Sequence, residues 1–376
     1  RMIECGLWGV EFIAVNTDIQ DLAKNKAGTK LQIGSKLTGG RGAGGIPEIG
    51  EKAALEDIDL IAGAVEGADM VFITAGMGGG TGTGSAPVIA RAAKDAGALT
   101  VGVVTKPFDY EARAKMSIAM EGIRRLREVV DTLIIIPNQY LFKIVERTTP
   151  LPQAYLMADE VLRQGVQGIS DLINKTGFQN LDFADVESTL KGQGIALMGI
   201  GYGSGENRAR EAVVNAVENP LLEDTTIEGA TRVLINITCA RNISLVETEE
   251  IVGYVTGKAD RDVQEKHGII FEDELEDRIK VTVIATGFQN ASSRAAGRQG
   301  GLELGRSPET DILGIGEWEK IQDRSKRGTG LTHRNGNDDL DYPTVLRDRT
   351  GSRHAVSGEV LQPELLFKAE PVETSR

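Results

Sequence analysis

The sequence predicts an α/β protein in which a doubly wound parallel-sheet domain is joined by a long central helix to a smaller α/β domain, with a disordered C-terminal tail. Short apolar runs alternate with helical patterns over residues 1–150, as a doubly wound sheet requires. An uninterrupted helical period follows, and after Gln289 the composition shifts to Gly, Ser, Arg, Glu and Gln. A chain of 376 residues is long enough for two cores.

The first domain is expected over residues 1–152. Its apolar runs predict parallel strands at residues 12–16, 29–33, 70–74, 100–104 and 132–136. Helical patterns lie at residues 47–65, 86–96 and 112–126, and another precedes the first strand. Pro87 then falls near the first turn of a helix, where its missing N–H does no harm.

Residues 153–175 are predicted to form the central helix, because apolar residues recur there every third or fourth position. The second domain is expected over residues 176–288. Strands are predicted at residues 196–200, 232–238 and 280–286, with helices at 209–218 and 247–256.

The tail from residue 289 has too few aliphatic residues to offset its ordering entropy, so we expect a disordered linker over 289–337. An apolar patch within 338–349 has acidic residues before it and basic ones after it, and a disordered extension follows over 350–376. Such a tethered peptide is a common recognition device, although a chance apolar cluster is the alternative. The predicted partner-binding residues are Leu340, Asp341, Tyr342, Pro343, Leu346 and Arg347.

The composition favours a cytoplasmic protein that neither binds nucleic acid nor inserts into a membrane. Its net charge of −13 lacks the basic balance that nucleic-acid binding requires. Cys5 and Cys239 have no metal or disulfide spacing, which is typical of a reducing compartment. No apolar run reaches the length of a membrane span, and no signal-peptide pattern is found.

A dense glycine segment over residues 76–84, the glycine loop, indicates an anion site. It lies between a predicted strand and a helix start, where glycines let backbone N–H groups approach a phosphate and the helix dipole favours negative charge. The alternative is a loop that binds nothing. No stretch matches the P-loop pattern G-x-x-x-x-G-K-[ST].

Other loops are expected at the same sheet edge, because ligands of open α/β sheets lie beyond the carboxyl ends of the strands. They include residues 16–18, 104–108, 136–138 and a second glycine loop at residues 40–45. The second glycine loop also matches G-x-G-x-x-G, which makes a nicotinamide-dependent oxidoreductase an alternative. No acidic residue ends a second strand about 20 residues later, as the ribose contact of that class requires.

The run Gly-Gly-Gly-Thr-Gly-Thr-Gly at residues 78–84 resembles the signature of the tubulin/FtsZ GTPase family. Thr74-Ala75-Gly76-Met77 and the run at 104–108 are similar to bacterial FtsZ rather than to tubulin. The resemblance covers residues 1–288 strongly and 338–349 weakly, and it implies GTP as substrate with Mg²⁺. It also implies that the first strand and first phosphate loop of the family precede Arg1, so we expect weak or no GTP binding by residues 1–376 alone.

The resemblance further implies roles for individual residues. Ala43 and Gly44 approach the γ-phosphate, Asp18 lies near the metal without being a certain ligand, and the hydroxyls of Thr81 and Thr83 are available to the phosphates. Lys115 is near the phosphates. The full nucleotide-binding set is Asn16, Asp18, Ala43, Gly44, Gly45, Gly76, Gly78, Gly79, Gly80, Thr81, Gly82, Thr83, Gly84, Pro107, Glu111, Lys115, Asn138, Tyr155 and Asp159.

The same resemblance implies that Glu111 bonds the ribose, that Asn138 and Asp159 bind the guanine, and that Tyr155 stacks on the base in place of the usual Phe. Ala112 replaces a usual Gly. From the residues alone, Tyr155 and Asp159 also fit one core aromatic and one solvated acid on a helix face.

A third segment, residues 180–186, presents two carboxylates three positions apart and is called the acid loop. Acids there are often only partners of a helix dipole. The heptad nevertheless resembles the FtsZ loop that completes the active site of a neighbouring subunit, which implies that Asn180, Asp182 and Asp185 are catalytic. About 20 helical residues, roughly 30 Å, separate them from their own nucleotide, so catalysis would require head-to-tail filaments.

The resemblance therefore implies a polymerising tubulin-like GTPase that forms the division ring of a bacterium at mid-cell, under the inner membrane. The predicted partners are copies of the chain and, through the tail peptide, membrane-tethering and division-regulating proteins. A non-catalytic filament protein related to FtsZ is the alternative.

Overall fold

A computed structural model describes residues 2–7, 9–143, 149–175, 177–218 and 226–288. The predictions for the linker, the tail peptide with Leu340, Asp341, Tyr342, Pro343, Leu346 and Arg347, and the extension lie outside these residues. Among the helices of the described part, none is long and apolar enough to cross a membrane.

The first half of the chain alternates strands and helices, as expected. Its elements in order are β1 (Ile13–Asn16), α1 (Ile19–Lys24), β2 (Thr29–Gln32), α2 (Ser35–Thr38), α3 (Pro47–Glu56), α4 (Ile58–Val65), β3 (Met70–Gly76), α5 (Thr81–Asp95), β4 (Leu99–Lys106), α6 (Arg113–Arg127) and β5 (Thr132–Pro137). Short 3₁₀ turns cover Asp109–Glu111 and Asn138–Lys143.

The second half begins with the long helix. Its elements are α7 (Leu151–Asn174), α8 (Phe183–Leu190), β6 (Gly194–Gly203), α9 (Arg208–Val217), β7 (Arg232–Cys239), α10 (Leu245–Lys258), β8 (Gln264–Phe271) and β9 (Ile279–Thr286).

The fold class is confirmed as α/β, but the sheets are arranged differently from the expectation. One seven-stranded sheet has the order β3-β4-β5-β6-β9-β7-β8, in which β3 to β6 are parallel and β9 is antiparallel to β6 and β7. Strand β6 joins the two halves, since residues 194–196 pair with β5 and residues 197–203 pair with β9. The parallel pair β1-β2 forms a separate sheet, and a cavity of about 720 Å³ lies between β1 and β3.

Two helix predictions are corrected. The pattern over 47–65 is interrupted at Asp57 (φ −113°, ψ 30°), whose carboxylate accepts a hydrogen bond from the Gly34 N–H at 2.7 Å. Helix α5 begins at Thr81 instead of residue 86, so Pro87 lies inside the helix and not near its first turn. Gly and Thr have low helix propensity, so the sequence pattern did not indicate the first turn of α5.

A further helix prediction is wrong, since the N-terminal residues 2–6 form turns. Helices α1 and α2 and strand β8 were not predicted, and α8 was expected only as a short helical turn. Strand β8 begins with polar residues, Gln-Glu-Lys-His, because it is the edge strand of its sheet and one end of it faces solvent.

Helix α7 packs on the seven-stranded sheet through Val166, Ile169 and Leu172, which share one core cluster with residues from both halves of the chain. Glycines allow the close approach: a Cβ at Gly168 would lie 2.9 Å from Thr282 Cγ2. With 24 residues, α7 extends about 36 Å. The loops at its two ends therefore lie far apart.

Candidate functional site

The glycine loop follows β3 directly and leads into α5. Gly78 has φ +103°, and a Cβ there would lie 2.7 Å from Lys115 Cγ and 2.9 Å from the Lys115 carbonyl oxygen. A Cβ at Gly80 would lie 2.7 Å from the Ile46 nitrogen and 2.8 Å from Ala43 Cβ. Gly78 and Gly80 are therefore enclosed by other parts of the chain, and a side chain at either position would collide with them.

The second glycine loop contacts the first, as the contacts of Gly80 with Ala43 and Ile46 demonstrate. Ala43 is buried, whereas Gly44 (φ +59°) and Gly45 (φ +77°) are exposed and a Cβ at either would meet nothing within 4 Å. The loop follows α2 instead of a strand. The strand–glycine–helix order of the dinucleotide fingerprint is therefore not formed here.

The start of α5 presents open backbone toward this edge. Its N-cap, Gly80, makes no side-chain cap hydrogen bond, so the N–H groups of the first turn are available to an anion. Gly76 is exposed, and Gly79 and Gly82 are half-buried. The hydroxyls of Thr81 and Thr17 share a hydrogen bond of 2.6 Å between their Oγ1 atoms, which ties β1 to the start of α5.

Two members of the glycine loop, Thr83 and Gly84, are buried. Thr83 is 2% exposed, and its Oγ1 already accepts a hydrogen bond from the Gly78 N–H at 2.9 Å. Gly84 is buried, and a Cβ there would lie 2.0 Å from the Pro47 carbonyl oxygen of α3. The Thr83 hydroxyl is thus not open to a phosphate, since both residues lie in the interior beside α3 and α6.

Asn16 and Asp18 lie at the carboxyl end of β1, next to the second glycine loop. Asn16 Oδ1 accepts from the Asp18 N–H at 3.2 Å, and Asp18 Oδ1 caps α1 by accepting from the Gln20 N–H at 2.8 Å. The other Asp18 oxygen lies on the side of Gly42. Among the described residues no group of three or more His, Cys, Asp or Glu is arranged to hold a metal. Mg²⁺ fits here only if phosphate oxygens and water supply most of its ligands.

Glu111 and Lys115 form an ion pair beside the glycine loop. Partial burial of Glu111 opposes its ionisation. The charge of Lys115 and a hydrogen bond from the Phe108 N–H at 3.0 Å favour ionisation more strongly, so the pKa of the Glu111 carboxyl is lowered. Between them Ala112 has φ +92°, a conformation that favours glycine. The substitution of Ala for a usual Gly therefore strains the backbone at this position.

Asn138 follows β5 and is only 7% exposed, yet its Oδ1 has no hydrogen-bond partner within the described part of the chain. A buried amide oxygen without a partner costs free energy unless a ligand or water satisfies it. Pro107, at the end of the neighbouring strand β4, is buried beside Phe108. This end of the sheet thus has a buried polar acceptor close to apolar Pro107 and Phe108.

Tyr155 is 39% exposed and is therefore not a core aromatic. Its ring meets Phe108 edge to face with centroids 5.5 Å apart, and its hydroxyl lies 3.0 Å from that of Tyr110. The hydrogen bond to Tyr155 raises the pKa of Tyr110 to about 12. Asp159, four residues along α7, is exposed and lines a cavity of about 530 Å³ together with Thr74.

The acid loop lies beyond the other end of α7. Asn180 Oδ1 accepts from the Gly177 N–H at 2.6 Å, and Asp182 is the N-cap of α8, its Oδ1 accepting from the Asp185 N–H at 2.8 Å. Asp185 forms an ion pair of 2.8 Å with Lys266 of β8, and this partner holds the pKa of Asp185 below its ordinary value. Apolar Leu181 and Val186 anchor the loop in the core.

The structure therefore brings the predicted nucleotide residues of β1, β3, β4 and β5 to one edge and leaves the three predicted catalytic residues at the opposite end of α7. Sequence reasoning missed Lys266 and Tyr110. The continuous polar run at residues 264–267 gave little signal for Lys266, and no strand was predicted there. Tyr110 offered no signal beyond its place in the loop after β4.

Family comparisons match both halves of the chain. A model described as the Tubulin/FtsZ family GTPase domain matches residues 8–146, and one described as the FtsZ family C-terminal domain matches residues 194–289.

Solved structures resemble the described fold over most of their length. An FtsZ point mutant from M. jannaschii is 46% identical, with 77% of this chain and 86% of that chain covered at a TM-score of 0.73. An empty FtsZ dimer from M. jannaschii is 45% identical, with 82% and 90% covered at 0.73. A GTPγS-bound protofilament of CetZ2 from Haloferax volcanii is 20% identical, with 78% and 89% covered at 0.65, which is a likeness of fold alone.

Proposed function

This chain belongs to the tubulin/FtsZ family, and on that premise we propose that it binds GTP, assembles head to tail into filaments and hydrolyses GTP at the subunit interface. One observation supports this most strongly. The glycine loops and the acid loop lie at opposite ends of α7, so the parts of a GTPase are present in one chain but separated.

In this proposal the phosphates lie over the glycine loop and the start of α5. Backbone N–H groups of Gly79 to Gly82 would hold the α- and β-phosphates, while the Gly78 N–H keeps its bond to Thr83 Oγ1 and shapes the loop. The exposed backbone of Gly44 and Gly45 would face the γ-phosphate. Asp18 would share Mg²⁺ with phosphate oxygens. When bound, the ion neutralises charge on the phosphates.

The nucleoside would extend toward α7. Glu111 would accept a hydrogen bond from a ribose hydroxyl. The Lys115 ammonium would lie near the phosphates and attract their negative charge. The partnerless Asn138 oxygen and the Asp159 carboxylate would accept hydrogen bonds from guanine, and Tyr155 would stack on the base. Adenine lacks the donors that a carboxylate would accept at this position.

Hydrolysis would require the acid loop of the next subunit. Phosphoryl transfer needs little covalent help from the protein, so positioning of the attacking water and neutralisation of charge dominate. Asp182 and Asp185 would orient that water, with Asn180 supporting the loop backbone. The contact does not close on itself, which generates a filament.

The empty FtsZ dimer and the CetZ2 protofilament support assembly as a property of similar proteins. We extend this to a cytoplasmic role in the bacterial division ring at mid-cell. The tail peptide would then bind membrane-tethering and division-regulating proteins.

The test is GTP turnover of the full-length protein as a function of its concentration. Catalysis between subunits predicts a threshold concentration, below which turnover per subunit is negligible. Turnover that is linear in concentration, with no threshold or lag, would contradict it. Equilibrium binding of GTP against NAD separates this proposal from the oxidoreductase alternative, which the position of the second glycine loop after α2 does not favour.

A further inference from the structure

The chain entering the acid loop lies directly along strand β8. The Phe178 N–H donates to the Ile269 carbonyl at 2.9 Å, and the Ile269 N–H donates to the Gln179 carbonyl at 2.9 Å, which forms an isolated antiparallel bridge. A Cβ at Gly177 would lie 2.1 Å from the Ile269 carbonyl oxygen. The backbone before the acid loop is therefore held against β8 at very short range.

A side chain of the same strand holds the acid loop itself. Lys266 Nζ lies 2.8 Å from Asp185 Oδ1, and the two side chains are 45% and 28% exposed. The bond joins β8 to the first turn of α8, so it crosses between two elements that are far apart in sequence. Asp185 is thus oriented by Lys266 from one side and by its own backbone bond to Asp182 from the other.

The neighbouring charges on β8 are arranged so that Lys266 faces the acid loop by itself. Glu265 and His267 pair with each other, and strand alternation places them on the opposite face from Lys266. Within the described residues, the charged groups that act on Asp185 are Asp182 and Lys266. Lys266 therefore brings a positive charge to a loop that otherwise presents two carboxylates.

We propose that Lys266 is a positioning residue of the GTPase site: it fixes the Asp185 carboxylate and carries a compensating cation into the interface with the next subunit. The inference rests on the proposed function. Two carboxylates approaching a triphosphate repel it, and a cation tied to one of them lowers that repulsion. The ammonium remains half-exposed, so it can face the neighbouring subunit together with Asp185.

The experiment measures GTP turnover per subunit above the threshold concentration for full-length wild type, Lys266→Met and Lys266→Arg. Lys266→Met should lower turnover about tenfold, because a loosely held catalytic group loses its orientation, while GTP binding stays unchanged. Lys266→Arg retains the cation and should restore most of the activity.

The pH profile separates positioning from a structural role. Lys266 lowers the pKa of Asp185, so its removal raises that pKa and moves the acid limb of the turnover profile to higher pH in Lys266→Met. Lys191→Met is the matched control. It removes a lysine that pairs with Glu187 at 2.7 Å on the same helix and touches no part of the acid loop.

Wild-type turnover and an unmoved acid limb in Lys266→Met would overturn the proposal. So would a loss equal to that of Lys191→Met, or one that Lys266→Arg does not relieve, since either indicates a general effect on folding. Failure of the proposed function has a different signature: wild type itself would then have turnover linear in concentration.

Discussion

The loops at the two ends of α7 are held in place by different kinds of contact. At the end near the two glycine loops, the proposed nucleotide end, shape comes from backbone: glycines enclosed at under 3 Å, an uncapped helix start and two loops in contact. At the other end the acid loop is held by side chains, through the Asp182 cap and the Asp185–Lys266 ion pair. Backbone donors suit the binding of an anion in its ground state, whereas carboxylates suit the orientation of water.

This difference implies that substitutions at the two ends fail in different ways. A side chain added at an enclosed glycine such as Gly78 or Gly80 meets neighbouring atoms at under 3 Å, so folding and binding are lost together. Removal of the partly exposed Asp185 carboxylate costs little stability, because an ion pair that remains in contact with solvent contributes at most about 1 kcal/mol. At the acid loop, GTP hydrolysis should be lost while folding and GTP binding are retained.

Asp185→Ala should have the largest effect. We expect GTP turnover to fall by about 10² to 10⁴ fold, the usual contribution of a positioned acid or base, with GTP affinity and melting temperature nearly unchanged. Glu187→Ala, two residues along the same helix, is the control and should retain activity. Unchanged turnover in Asp185→Ala would favour the non-catalytic filament protein.

Gly80→Ala tests the opposite end. Its new Cβ would lie 2.7 Å from the Ile46 nitrogen and 2.8 Å from Ala43 Cβ, so we expect a loss of about 2 kcal/mol in stability and weaker GTP binding. Thermal unfolding and GTP titration measure the two losses. At Gly79, where a Cβ meets nothing within 4 Å, alanine should change stability by less than about 0.5 kcal/mol. Equal stability of the two variants would contradict the enclosed geometry.

Ala112→Gly is the smallest change and tests strain beside Glu111. Because φ is +92° at this residue, glycine should stabilise the fold by about 0.5–1 kcal/mol despite its greater entropy when unfolded. Chemical denaturation measures the difference. Ala114→Gly, in the exposed first turn of α6, should instead destabilise by about 1 kcal/mol. If both variants lost stability alike, the strain at Ala112 would be refuted.

Most of the fold was predictable where an apolar period is strong. Strands β3, β4 and β5 and helix α7 lie within a few residues of their predicted positions, since long buried elements must repeat their apolar residues. The start of α5 and strand β8 were not predictable in the same way. Thr-Gly repeats have poor helix propensity, and an exposed edge strand has little apolar signal.

Some features of the candidate site were likewise predictable from the sequence, and others were not. The glycine loop could be predicted from local residue types, whereas the acid loop was assigned only through its resemblance to FtsZ. The burial of Thr83 and the contact between the two glycine loops depend on helix and loop packing that no local pattern encodes. The same is true of the Asn138 oxygen, which has no hydrogen-bond partner among the described residues.

The sequence by itself therefore determined the fold class, the family and the order of the loops along the chain. Those properties depend on short-range patterns and on local residue types. Only the tertiary structure decided which glycines are enclosed, which hydroxyls are already bonded, and that Lys266 meets Asp185 across 81 positions of sequence. Such contacts are set by the packing of α7 and α8 on the sheet, and packing joins residues without regard to their separation in the chain.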